Sequence, residues 1–132
     1  MTGRAQQPFL RQGRAAPYDV VTKGEFLGES IQPHSIVVVS LHSPKERLWG
    51  ELLEISQAGV TMRGIDLGSF DDFVSQVLHP EHDPIGLPTL FFPMVRIERI
   101  ALDEARGSVP PLAAVFEKKT GRSLGEYLAQ FA

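Results

Sequence analysis

Residues 35–66 read SIVVVSLHSPKERLWGELLEISQAGVTMRGID, and this run decides the fold. It parses as three successive antiparallel strands. Ile36, Val37, Val38 and Val39 are all β-branched, which restricts χ1 and suits a pleated surface, so a first strand is expected over 35–42. Val37, Val39 and Leu41 fall on one of its faces, and Val38 on the other. Residues 43–47, SPKER, bring a turn former, Pro44 and charges together, as an exposed connection requires. The second strand, over 48–55, changes face part-way along. Trp49, Leu53 and Ile55 share one parity, Leu48 and Leu52 share the other, and Gly50 sits between them. A strand that bends sharply at a glycine, passing from one side of a small barrel to the other, has this pattern. The turn SQAG at 56–59 suits a type I turn closed by Gly59 at positive φ. In the third strand, over 60–66, Val60 and Met62 point inward, Thr61 and Arg63 outward, and Gly64 invites a further bulge.

Downstream, residues 69–72, SFDD, have the form of a capping box, and Phe70, Phe73, Val74 and Val77 make a helical stripe ending near Leu78. Residues 79–88, HPEHDPIGLP, are loop by their prolines and glycine. Residues 89–102, TLFFPMVRIERIAL, supply the remaining strand material. Their apolar parity slips between Ile97 and Ile100, which predicts a bulge or bend dividing them into two strands, and Pro93 must stand on an edge or face away from a partner. A helix is expected to open at Pro110 or Pro111, with Leu112, Val115 and Phe116 on one face and Gly121 ending it. A second capping box, SLGE at 123–126, opens a last helix carrying Leu124, Leu128 and Phe131.

Upstream there is little pattern. Residues 1–17 are rich in Gln, Arg, Gly and Pro without an apolar period and read as a disordered tail; Arg4, Arg11 and Arg14 make it basic. Residues 18–132 are expected to form a single domain, since 132 residues suit one core. With no run of roughly 20 apolar residues and no apolar stretch in the N-terminal segment, neither a membrane span nor a secretory signal is expected. A cytoplasmic location follows as the expectation. The absence of cysteine excludes disulfides, thiolate nucleophiles and cysteine-bound metal clusters. A net charge of −3 argues against a surface given over entirely to nucleic acid, while leaving room for a local basic patch.

The fold class that emerges is mainly β: a small SH3-like or Sm-like barrel of about five strands with an inserted short helix and C-terminal helices. VVVSL, a charged loop and GELLEISQAGVTMRGID together resemble the first motif of Sm-like proteins, and FPMVRIERI resembles the two short strands that close such barrels. The resemblance spans about half the chain. It implies a module that acts through homo-oligomeric assembly, with RNA as the alternative partner. RNA-binding members carry an Asp and an Asn in the loop after the second strand, where this chain has Ser56, Gln57, Ala58 and Gly59, and the Arg-Gly pair of their second motif is replaced by Arg96 and Ile97. A second resemblance lies in EISQAG, 54–59, which is similar to the D/N-x-S-x-x-G motif of PilZ domains, binders of a cyclic dinucleotide; the upstream R-x-x-x-R of that family is missing.

Candidate functional residues are therefore few. Lys45 and Arg47, with Gln57 and Arg63, are the candidate RNA-binding residues, and Trp49 stands close enough in sequence either to stack on a base or to enter the core. His79, His82 and Asp83, with His34 or His42, could offer ligands to a metal, though a proline-rich loop does not align imidazoles as a helix would. No phosphate-cradling glycine motif and no nucleophile elbow occur, and the acid pairs Asp71-Asp72 and Asp103-Glu104 suit helix capping and a solvated strand end. The expectation is a protein without catalysis or cofactor.

Overall fold

The alternation over 35–66 produces three strands: β1 (Ile36–Leu41), β2 (Glu46–Ile55) and β3 (Gly59–Asp66). In the computed structural model, residues 30–79, 81 and 86–131 are described, and from Ile31 onward they belong to one compact unit. The basic tail expected over 1–17 lies outside the described residues. β2 begins two residues earlier than its apolar pattern suggests, because Glu46 and Arg47 pair with Leu41 and Ser40 on β1. Helix α1 (Phe70–Val77) follows β3 through a 3₁₀ turn, and β4 (Thr89–Pro93) and β5 (Ile97–Leu102) are joined by another, Met94–Arg96. Helices α2 (Leu112–Thr120) and α3 (Leu124–Ala129) complete the order.

All five strands lie in one antiparallel sheet in the order β4-β3-β2-β1-β5. The chain is thus mainly β, as expected. The sheet is not closed, however: β4 and β5 are its two edges and no ladder joins them. Pro93 stands at the end of the edge strand β4, where a missing N–H costs least.

The sheet has a different core on each face. On one lie Val37, Val39, Leu41, Leu48, Leu52, Val60 and Met62, joined by Leu90, Phe92, Ile97, Ile100 and Leu102, so every described member stands on a strand and all five strands contribute. On the other, Trp49 meets the residues of the helices: Phe70, Phe73 and Val74 from α1, Phe116 from α2, and Leu124, Tyr127 and Leu128 from α3. The aromatic rings form a chain of contacts. Trp49 meets Phe70 edge-on at 5.0 Å, Phe73 stacks on Phe116 at 5.6 Å, and Phe116 lies 5.8 Å from Tyr127. Such pairs add to burial through their quadrupoles. The change of face expected at Gly50 does not occur: Leu48 and Leu52, on either side of it, enter the same core, and Trp49 enters the other by simple alternation.

Several local expectations are corrected. Gly59 is not left-handed; among the described glycines only Gly107 and Gly121 have positive φ. Gly59 is required for space instead, since a Cβ there would sit 2.2 Å from the carbonyl oxygen of Phe92. Gly64 makes no bulge and pairs directly with Gly50. That pair brings two strands so close that a Cβ on Gly50 would stand 1.9 Å from the Arg63 carbonyl oxygen. The irregularity in this ladder falls further on, between Leu52 and Glu54, which is why Ile55 returns to a half-exposed position opposite Val60.

The parity slip in the last strand segment is a bulge in the β1–β5 ladder, where Ser40 faces Arg99 and Leu41 faces Ile97. The division into two strands is a separate event, made by the 3₁₀ turn just before it. Ser69 makes no capping bond, because the preceding 3₁₀ turn runs straight into α1; Asp66 serves that turn by accepting from the Gly68 amide at 3.0 Å. Pro111 precedes α2 in extended backbone rather than opening it, and the exposed amides of Leu112 and Ala113 donate to Asp103 at 2.7 and 2.8 Å. Gly121 ends α2 in the left-handed region, and Ser123 caps α3 by accepting from the Glu126 amide.

Candidate functional site

The four candidate RNA-binding residues are distributed over the sheet. Lys45 and Arg47 stand at the β1–β2 turn, where β2 begins, whereas Gln57 lies in the turn beyond its far end. A ten-residue strand spans about 30 Å along its path. Arg63, in the middle of β3, faces Glu51 across the ladder and pairs with it at 3.5 Å, and the same carboxylate holds His34 at 2.7 Å. Only Lys45 and Arg47 are brought together.

Trp49 is fully buried, so its indole belongs to the aromatic core and is closed to bases. Its Nε1 donates to Asp103 Oδ2 at 3.2 Å. Asp103 thereby ties the middle of β2 to the start of α2, accepting from one indole and two helix amides at once. The sequence marks Asp103 as an acid near a helix start, but nothing local links it to a tryptophan 54 positions earlier.

Arg96 has a comparable role at the other end of the sheet. From the turn between β4 and β5 its guanidinium donates to the carbonyls of His42 and Pro44, at 3.1 and 2.9 Å, and pairs with Glu46 at 3.3 Å. It clamps the β1–β2 turn and so positions Lys45 and Arg47 without presenting its own charge to a ligand. The histidines are dispersed. His42 meets the Ser43 hydroxyl at 3.2 Å, His79 pairs with Glu81 at 3.3 Å, and no group of three metal-ligating side chains occurs among the described residues. His82 and Asp83 lie outside the described residues.

Among the described residues, the two most exposed large apolar side chains stand at β4 and in the turn that leads from it to β5. Val95, in that turn, is 78% exposed, and Phe91 on β4 is 54% exposed, with Met94 beside it. β4 and β5 each have a ladder on one side only. Their outer backbone groups can therefore accept a further strand. No described helix is long and apolar enough to cross a membrane. Comparison with protein-family models, with curated proteins and with solved structures gives no match for this chain.

Proposed function

We propose that the chain is a non-catalytic Sm-like module whose work is done by homo-oligomeric assembly, the β4 edge of one copy pairing with the β5 edge of the next. The observation that carries this reading is the pair of open antiparallel edges flanked by exposed Phe91, Met94 and Val95. An edge strand with apolar neighbours is a template for another strand. Because the two edges are different strands, their pairing is head-to-tail, and a head-to-tail contact repeats until it closes a ring or runs on as a filament. The barrel-like reading is supported by the strand order, the abrupt 3₁₀ turn between β4 and β5, and a buried core of β1, β2 and β3 residues against which β4 and β5 pack partly buried side chains.

The test is light scattering on the full chain across a range of concentrations. A species larger than a monomer is expected, and Val95→Asp should shift it toward monomer while leaving the melting temperature nearly unchanged. A chain that is monomeric at every working concentration contradicts the proposal.

RNA binding is the second reading, favoured by one observation: Lys45 and Arg47 are adjacent, exposed and without a charge partner among the described residues. Binding of a single-stranded RNA should then weaken steeply with salt and be lost in Lys45→Ala/Arg47→Ala. No binding at low salt removes this reading.

A further inference from the structure

On the aromatic face, one cross-strand row differs from the rest. The β1–β2 ladder sets Arg47 opposite Ser40, and the β1–β5 ladder sets Arg99 opposite the same serine. Directly opposed residues share a face, with Cβ atoms about 4.5–5.5 Å apart, so the Ser40 side chain lies between two guanidinium-bearing ones. Ser40 is 5% exposed and is the one buried polar residue among those described. Its hydroxyl has no hydrogen-bond partner among them, whereas buried hydroxyls ordinarily find one.

This row lines a groove of about 670 Å³. Ser40, Arg47 and Arg99 also border an adjoining hollow of about 540 Å³ that continues over Val38, Phe70 and Leu112. The site has a polar end and an apolar end.

The charges around the groove are unevenly committed. Most of its carboxylates already have work: Asp66 holds the Gly68 amide, Glu46 pairs with Arg96, Asp71 lies 3.9 Å from Lys119, and Asp103 holds Trp49 and α2. Glu104, at the rim of the hollow, and Glu98, in the groove, are the exceptions. Among the described residues Arg47 has no partner, and Arg99 has only Glu98 at 4.0 Å, the outer limit of an ion pair. Two guanidiniums and a hydroxyl thus converge with a single marginal carboxylate contact among them.

We propose that this groove binds a phosphate monoester with an apolar or aromatic body, its phosphoryl group on Arg47, Ser40 and Arg99 and its body toward Val38, Phe70 and Leu112. Two guanidiniums from the sides and a hydroxyl from beneath suit the three terminal oxygens of a tetrahedral phosphoryl group. A planar carboxylate keeps its two oxygens in one plane and carries a single charge, so it matches donors arriving from both sides and from beneath less well than a phosphoryl group does. The volume fits a small molecule of this kind.

The experiment is a titration of the isotope-labelled full chain, followed by amide chemical shifts at constant ionic strength, with phenyl phosphate, benzoate and inorganic phosphate as probes. Phenyl phosphate should perturb the amides of Ser40, Arg47 and Arg99 saturably. It should bind about tenfold more tightly than inorganic phosphate, which lacks the body, and about tenfold more tightly than benzoate, which lacks the third oxygen. Arg47→Ala and Arg99→Ala should each weaken it about tenfold and Ser40→Ala roughly fivefold, with Lys118→Ala as the unaffected control. Should either arginine variant fail to fold, Arg47→Gln or Arg99→Gln, which keep the aliphatic stem, replaces it. Equal binding of benzoate overturns the phosphoryl assignment. Affinity unchanged in the arginine variants, or shifts centred away from the row, overturns the site. Light scattering on Arg47→Ala keeps this test separate from the assembly proposal, because Arg47 stands on the interior strand β2, away from both edges, and the assembly should survive that substitution.

Discussion

The two faces of the sheet bury comparable numbers of large residues by different means. One face is aliphatic, and its described members come from strands alone. The other is aromatic and unites Trp49, the one fully buried strand residue in it, with three helices that follow it in the chain, while Ile36, Val38 and Ile65 pack against it from β1 and β3. On the aliphatic face, neighbours in space are neighbours on adjacent strands, fixed once the hairpins register. On the aromatic face they are brought together from positions 49, 70–74, 116 and 124–128, and a single carboxylate, Asp103, sets where α2 begins relative to Trp49. Alternation makes a face cheaply, whereas joining remote helices to it takes specific polar contacts.

This contrast can be broken first at the residue where both faces depend on one strand. Gly50→Val should destabilise by more than about 4 kcal/mol, because a Cβ meets the Arg63 carbonyl oxygen and Gly64 across the ladder. Urea unfolding or loss of soluble protein measures it, and a folded variant within about 1 kcal/mol of the parent would show that the strands can separate there. The contrast can then be sharpened with Phe116→Ala, expected to cost about 3–5 kcal/mol. Here hydrogen exchange is the discriminating measurement: amides of α2 and α3 should lose protection before those of β1 to β3. Simultaneous loss would mean that the faces form one cooperative unit.

Asp103→Ala comes next, at about 2 kcal/mol, since it removes the acceptor for two helix amides and leaves the buried Trp49 N–H unpaired. Tryptophan fluorescence should shift in the same variant. The smallest effect is expected for Gly121→Ala, about 1 kcal/mol, from placing a Cβ at φ 73° where there is ample space but an unfavourable backbone. A thermal melt reads it, and no change would show that the end of α2 relaxes freely.

Much of the aliphatic face was legible because a strand's period is fixed at two. Val37, Val39, Leu41, Val60 and Met62 could be assigned to one interior by counting alone, and all five are fully buried. The stripes of α1 and α3 were equally readable from their helical spacing. What resisted reading were the glycines and the caps. A glycine can answer a need for positive φ or a need for room, and the sequence looks the same in both cases; Gly59 and Gly64 proved to be cases of room, while Gly121 was a case of φ. The box at Ser69 has the right residues, but a 3₁₀ turn ahead of it removes the extended backbone that a capping side chain needs.

The candidate site was legible only in part. Lys45 and Arg47 could be found as adjacent charges in a hairpin, but Arg99 and Ser40 could not be joined to Arg47 without the strand order. Similarly, the exposure of Phe91 and Val95 could not be read from residues 89–102, since nothing in an apolar run tells which strand will lack a second partner.

By itself, then, the sequence determined the strands and helices and the inward side of most strands, because these depend on local periodicity and backbone preference. Tertiary structure decided which strands became edges, where the close Gly50–Gly64 approach fell, and that Asp103 should bind Trp49 and α2 together. Those outcomes depend on register and on contacts between residues far apart in the chain. The stretch that opens the reading contains the hinge of the fold, and its meaning is completed by residues 99 and 103, which it does not contain.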